Sequence, residues 1–194
     1  MKTSVLLNVI LIGLVSVSAM FTSCKGGKES AAGKGSKELT IPCAEFGRSD
    51  DNYFRADASA ESMNLQASRE KALLNAKNRL AGLIGTKIKA VNDRYMSETT
   101  VGKTSDYEEK YEGLTREVVN QQLSGIKVTC EKPMQTADGK YQTFLALEIK
   151  KEDLLKGMND KLSNNQKLKV DYDKMKYEKI FNEEMKKLED EQNK

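Results

Sequence analysis

From Tyr53 to Ala60 the chain alternates between apolar and polar positions. Phe54, Ala56, Ala58 and Ala60 fall on one side, with Arg55, Asp57 and Ser59 on the other. A period of two predicts a strand with one buried face, entered through the turn-rich stretch Gly47–Asn52. The alanines leave room for a helix to approach closely. The period then changes. Ala72, Leu73, Ala76, Leu80, Leu83, Ile84, Ile88, Val91 and Tyr95 recur every three or four residues, while Lys71, Lys77, Arg79, Lys87 and Lys89 lie mostly off that stripe. This predicts an amphipathic helix over about Leu65–Met96, capped by Asn64 and lying on a sheet. Gly82 and Gly85 are the positions where so long a helix could bend.

A polar loop, Ser97–Ser105, separates this from a second helix over about Asp106–Ser124, with Tyr107, Tyr111, Leu114, Val118 and Gln122 on one face. Gly125 stands where a left-handed C′ residue would end it. Ile126, Val128 and Cys130 alternate with Lys127, Thr129 and Glu131, a second strand. Tyr141–Ile149 is a third, and the dipeptide Asp138-Gly139 predicts the hairpin turn between them. In the third strand Tyr141, Thr143, Leu145, Leu147 and Ile149 share a face. Phe144 and Ala146 sit on the other, so that second face needs a cover, from the C-terminal helix or another subunit. A short helix over Glu152–Leu162 follows. A charged helix over Lys167–Glu191 carries a thin stripe of Tyr172, Met175, Phe181, Met185 and Leu188. The expected fold is α+β: a three-stranded antiparallel sheet packed by a long helix, with an extra helix inserted and a C-terminal helical extension.

The N-terminus breaks this patterning. After Lys2 an apolar run extends from Val5 to Phe21 and ends in Phe21-Thr22-Ser23-Cys24. A positive start, an apolar run and small residues before a cleavage point read as a secretory signal. The cysteine directly after them resembles a bacterial lipobox, in which the thiol is acylated and the chain is cut just before it. The competing reading is an uncleaved membrane anchor. On the lipobox reading residues 1–23 are a signal peptide and Cys24 is the lipidation site. Lys25–Glu38, with four glycines and no apolar periodicity, is a flexible tether spanning roughly 20 Å. Residues 39–155 are then the α+β domain and residues 156–194 a charged extension. The residues following Cys24 are Lys-Gly-Gly-Lys, without an acidic run, which favours a periplasm-facing position.

Composition narrows the chemistry. The 194 residues contain no histidine and no tryptophan, so Ser-His and Cys-His triads, an imidazole base and His-ligated zinc are excluded. Lys and Arg number 32 against 29 Asp and Glu. From Asn164 to the end eight lysines balance eight acids, so no basic patch points at nucleic acid or a membrane surface. Cys43 and Cys130 are a candidate disulfide in an oxidising compartment, or two buried free thiols that pack as small hydrophobes. Asp50, Asp51, Asp57 and Glu61 form the densest acidic group, but lack calcium-loop spacing. They read as a turn plus an Asp57 pairing with Arg55 or another strand. Ser68 and Lys71 have Ser-x-x-Lys spacing inside an amphipathic helix, which reads as helix surface and core. There is no nucleotide-binding motif. No metal, cofactor or catalytic residue is expected.

Phe54-Arg55-Ala56 leading into the first strand, Ala67-Ser68-Arg69-Glu70-Lys71-Ala72-Leu73-Leu74-Asn75-Ala76 opening the long helix, Leu80-Ala81 with Leu83-Ile84, and Phe144-Leu145-Ala146-Leu147 in the hairpin together resemble the LPP-twenty family of small Gram-negative envelope lipoproteins. The resemblance covers about Tyr53–Glu152. It implies a compact dodecin-like α+β core and no reaction. The second helix and the charged C-terminal extension depart from that pattern. The expected function is that of a non-enzymatic lipoprotein anchored in the outer membrane, which binds an envelope partner or self-associates. The alternative is a small-ligand or lipid-binding periplasmic module, or an unrecognised enzyme, and it requires a concave pocket of roughly 300–1,000 Å³.

Overall fold

The computed structural model describes residues 39–99 and 105–192. Cys24, the signal segment and the tether lie outside them. From Thr40 onward the described residues form one compact unit. Three strands, β1 (Tyr53–Ser62), β2 (Lys127–Gln135) and β3 (Tyr141–Lys150), form an antiparallel sheet in the order β1-β3-β2. Four helices accompany it: α1 (Leu65–Glu98), α2 (Ser105–Leu123), α3 (Lys151–Asn164) and α4 (Lys174–Gln192). The fold is α+β, with β3 central and buried along most of its length.

The alternation in β1 works as its pattern requires. Phe54, Ala56 and Ala58 are buried and stand opposite Ile149, Leu147 and Leu145 of β3. α1 lies across this face, offering Ala72, Ala76, Leu80, Ile84 and Ile88, all nearly free of solvent. Each buried Leu or Ile contributes about 1.5–3 kcal/mol, and the small alanines on both partners let helix and strand come close. Asn64 caps α1, its Oδ1 accepting from the Ala67 N–H at 3.0 Å. The helix is continuous through Gly82 and Gly85, and at 1.5 Å per residue runs about 50 Å.

The opposite face of the sheet is covered within the chain by the segment preceding β1, not by the C-terminal helix. Residues 40–50, including a 3-10 turn at Ala44–Gly47, fold back over β1 and β3. The Asp50 N–H donates to the Tyr53 carbonyl at 3.1 Å. The Ser49 hydroxyl accepts from the Arg55 N–H at 3.0 Å, occupying a group that an edge strand would leave open. The approach is close at Gly47, where a Cβ would sit 2.6 Å from the Asp57 Cβ.

A bulge decides the chemistry of this face. Val128 pairs with Leu147 and Cys130 with Ala146, so Thr129 is an extra residue in β2. Val128 and Cys130 therefore point to opposite faces, not to one face as simple alternation requires. Cys130 is turned away from α1 and joined by a disulfide to Cys43, with Cα atoms 5.6 Å apart. The hairpin closes at Asp138-Gly139. Gly139 is left-handed at φ 82°, and its N–H donates to the Thr136 carbonyl at 2.9 Å.

Three expectations need correction. Gly125 does not take a left-handed conformation; α2 ends through tight bonds from the Ser124 and Gly125 N–H groups to the Gln121 and Gln122 carbonyls. The last helix starts at Lys174 rather than Lys167, because Asn165 Oδ1 accepts from the Lys167 and Leu168 N–H groups and holds a turn there. Asp173 then starts α4, accepting from the Lys176 N–H at 3.0 Å. That later start shifts the buried face: Met175 is exposed, while Tyr177, Ile180, Phe181, Met185 and Leu188 are buried in the same core as α1.

Where α1, α2 and α4 converge, Tyr95, Tyr111, Tyr172 and Tyr177 pack edge-on or tilted, ring centroids 5.3–6.4 Å apart. The hydroxyls of Tyr95, Tyr172 and Tyr177 are paired, that of Tyr172 with Asn159 Oδ1. The Tyr95 hydroxyl donates to the Asp171 carbonyl at 3.2 Å and accepts from the Asp173 N–H at 2.7 Å. The Tyr177 hydroxyl donates to Asn92 at 2.8 Å. On the rim, Arg94 of α1 forks to Glu98 and to Glu183 and Glu184 of α4.

Candidate functional site

The residues singled out for chemistry are dispersed rather than gathered. Asp50, Asp51, Asp57 and Glu61 do not converge. Asp50 pairs with Arg55 and accepts from the Asn52 and Tyr53 N–H groups at 2.9 Å each. Asp57 pairs not with Arg55 but with Arg79 of α1, at 3.6 Å. Glu61 takes the Lys140 ammonium at 2.8 Å. Arg55 instead reaches Glu148 across the sheet at 3.0 Å. Ser68 is fully buried, its hydroxyl 2.8 Å from that of Thr143, while Lys71 is exposed, so this serine and lysine form no catalytic pair. Among the described residues no three Asp, Glu or Cys side chains converge on a point that could hold a metal.

The Asp50 cluster gives the segment over the sheet a pH response. Burial pushes the Asp50 carboxyl up, but hydrogen bonds from the Asn52 N–H, the Arg55 guanidinium and the Tyr53 N–H outweigh it and leave the group below its usual range. A depressed carboxylate stabilises the fold fully above its unfolded pKa of about 4, and loses that contribution as pH falls through the folded value. Asp50→Asn should therefore show a shallower loss of stability below about pH 4 than the unaltered chain. Urea midpoints at neutral and acidic pH check this; identical slopes would exclude a role for Asp50.

Two concave surfaces stand out. The first is a groove between α1 and α2 with a volume of about 430 Å³. Gly82 and Gly85 form its floor, and Met96, Tyr111 and Val119 supply apolar wall. A Cβ at either glycine would meet nothing within 4 Å, so internal packing does not require glycine there. Their effect is to deepen the groove. Lys89 bridges the rim to Asp93 at 3.6 Å and to Glu112 at 3.4 Å. Deep in the wall, Asn92 Nδ2 donates to the Thr115 hydroxyl at 3.0 Å.

The second is a cleft of about 420 Å³ where β3 runs into α3, roofed by α4. Tyr53, Leu155, Phe181 and Met185 give it an apolar lining, and Asp51, Lys150, Lys151 and Glu152 give it charge. Sequence reasoning passed over both. The groove depends on two helices meeting, and its glycines read as bends. Lys151 falls between the predicted strand Tyr141–Ile149 and the predicted helix Glu152–Leu162, yet it is buried.

Among the described residues no helix is long and apolar enough to cross a membrane. No family model, curated protein or solved structure matches the chain.

Proposed function

We propose that this protein is a lipid-anchored envelope lipoprotein, acylated at Cys24 and held at the periplasmic side of a Gram-negative outer membrane. It acts by binding an envelope partner or a second copy of itself, without a reaction of its own. The observation that carries the reading is the Cys43–Cys130 disulfide, a bond that persists in exported, oxidising compartments. It lies just after the tether that the lipobox reading places between membrane and fold. The α1–α2 groove, apolar within and charged at its rim, is the surface best suited to receive a partner helix.

Mass spectrometry of the membrane-extracted protein is expected to give a chain that starts at Cys24 with added acyl mass; an intact Met1 would refute the anchor. A photo-crosslinking residue at Gly85, tested in intact cells, is expected to capture one discrete partner or a dimer. Finding no adduct there, while the variant is folded and membrane-bound, would remove the groove from the function.

A second reading, small-ligand binding, is favoured by the size of the two concave surfaces. Both fall within the roughly 300–1,000 Å³ typical of ligand pockets.

A further inference from the structure

A leucine and the space for one lie on the same face of α1. Leu74 is 58% exposed, while Ala72, Ala76 and Leu80 are buried on the inner face. Among the described residues it is the only large apolar side chain left exposed beyond the first turn of any helix. Further along, Gly85 stands in the floor of the α1–α2 groove. The interval from Leu74 to Gly85 is about three turns, so Leu74, Asn78, Ala81 and Gly85 run along one side of the helix, with Gly82 beside them. Glycine inside a helix is less stable than alanine. A Cβ at Gly82 or Gly85 would meet nothing within 4 Å, so the chain's own packing does not require them. Space kept open in this way suits the close approach of another element.

The groove is concave, so whatever fills it must protrude, and Leu74 protrudes. Within one chain the two are roughly 16 Å apart along a straight helix and cannot meet. In a symmetric pair they can. A two-fold axis midway between Leu74 and Gly85 sets α1 antiparallel to α1 of a second copy and lays Leu74 of each over Gly85 of the other. The uncharged side chains Asn78 and Ala81 then meet near the axis. Charge agrees with this pairing. Asp93 and Glu112 share the single ammonium of Lys89, at 3.6 and 3.4 Å, which leaves these three groups one negative charge in excess. Lys71, one turn before Leu74, is exposed and has no ion pair among the described residues. In the pair it arrives at the turn that carries Lys89, where the two carboxylates can take a second ammonium.

We propose that the α1–α2 groove receives the first half of α1 from a second copy of this chain, with Leu74 entering beside Gly82 and Gly85 and Lys71 joining Asp93 and Glu112. The inference rests on the partner-binding reading and names the partner; it does not need the lipid anchor.

The first test is covalent. Leu74→Cys/Gly85→Cys puts two thiols roughly 16 Å apart in one copy, beyond the 7 Å or so between Cα atoms that a disulfide spans, but against each other across the pair. Mild oxidation of intact cells is expected to convert the double variant to a band of twice the chain mass, and neither single variant should follow. The second test is sedimentation equilibrium of the full chain, extracted into density-matched detergent. A monomer–dimer equilibrium is expected, with a dissociation constant raised at least about tenfold by Leu74→Lys and by Gly85→Leu. Gly85→Leu fills the gap and removes a helical glycine, so it should melt no lower than the parent when both are dilute enough to be single copies. That separates a lost contact from a lost fold. A folded, membrane-bound double variant without the doubled band, single variants that crosslink equally well, or a dimer indifferent to both substitutions would overturn the proposal. If the photo-crosslinker at Gly85 then captures a different protein, the partner-binding reading stands and only the second copy falls; if it captures nothing, both fall.

Discussion

Cys130→Ser is expected to lower the melting temperature by roughly 10–15 °C, given about 2–4 °C per kcal/mol for a body of this size. The disulfide closes a loop of 87 residues in sequence separation. In chain-entropy arithmetic such a loop contributes about 4–5 kcal/mol by restricting the unfolded chain. The folded state loses something too. Cys43 is held at φ 63° and is the only non-glycine with positive φ among the described residues. Only the surrounding structure holds a residue in such a conformation, and the bond to Cys130 is its covalent part. Reductant added to the unaltered chain should reproduce the effect of the substitution in a thermal scan. An unchanged transition in both cases would mean that Ser49, Asp50 and Gly47 hold the covering segment without help.

Asn92→Leu is expected to destabilise by about 3 kcal/mol, although it places an apolar residue in an apolar setting. Asn92 is the joint of a buried chain across three helices. Its Oδ1 accepts from Tyr177 of α4, its Nδ2 donates to Thr115 of α2, and Thr115 donates in turn to the Tyr111 carbonyl at 2.8 Å. Leucine would leave the Tyr177 hydroxyl without an acceptor in a place water does not reach, and an orphaned buried donor costs about 1–3 kcal/mol. Thr115 can still donate to its own helix, so most of the loss falls on Tyr177. The double variant Asn92→Leu/Tyr177→Phe should therefore lose less than the sum of the single variants, because the orphan is removed with its partner. Denaturant unfolding of the three variants measures the coupling, and strict additivity would show that the chain of bonds is not a unit.

The elements were legible where one period ran undisturbed. Phe54, Ala56 and Ala58 announced β1, the Leu80–Ile84–Ile88 stripe announced α1, and Asp138-Gly139 announced the hairpin, because each burial pattern is local. Legibility failed where a single residue reset the phase. Thr129 is an ordinary strand residue, and nothing in its neighbourhood marks it as a bulge; only the register against β3 does. The same holds for α4, where Asn165 and Asp173 arrest and restart the helix and so exchange Met175 for Tyr177 on the buried face. The clefts were invisible for a different reason. A buried Lys151 and two helical glycines acquire meaning only when β1, α3 and α4, or α1 and α2, are brought together.

The Cys43–Cys130 bond also sets how the molecule responds to being pulled. Tension arriving along the chain before Cys43 crosses covalently to Cys130, so it bypasses the backbone of β1, α1 and α2 and reaches them only through their packing on β3, α3 and α4. Drawn out between its ends, the body would lengthen by no more than the stretch after Cys130, about 230 Å at roughly 3.6 Å per residue. Reduction would release the 87-residue loop as well, adding roughly 310 Å at the same extension. The bypassed loop is the one that bears the α1–α2 groove, so the backbone on which a partner would sit cannot be drawn out until the bond is reduced.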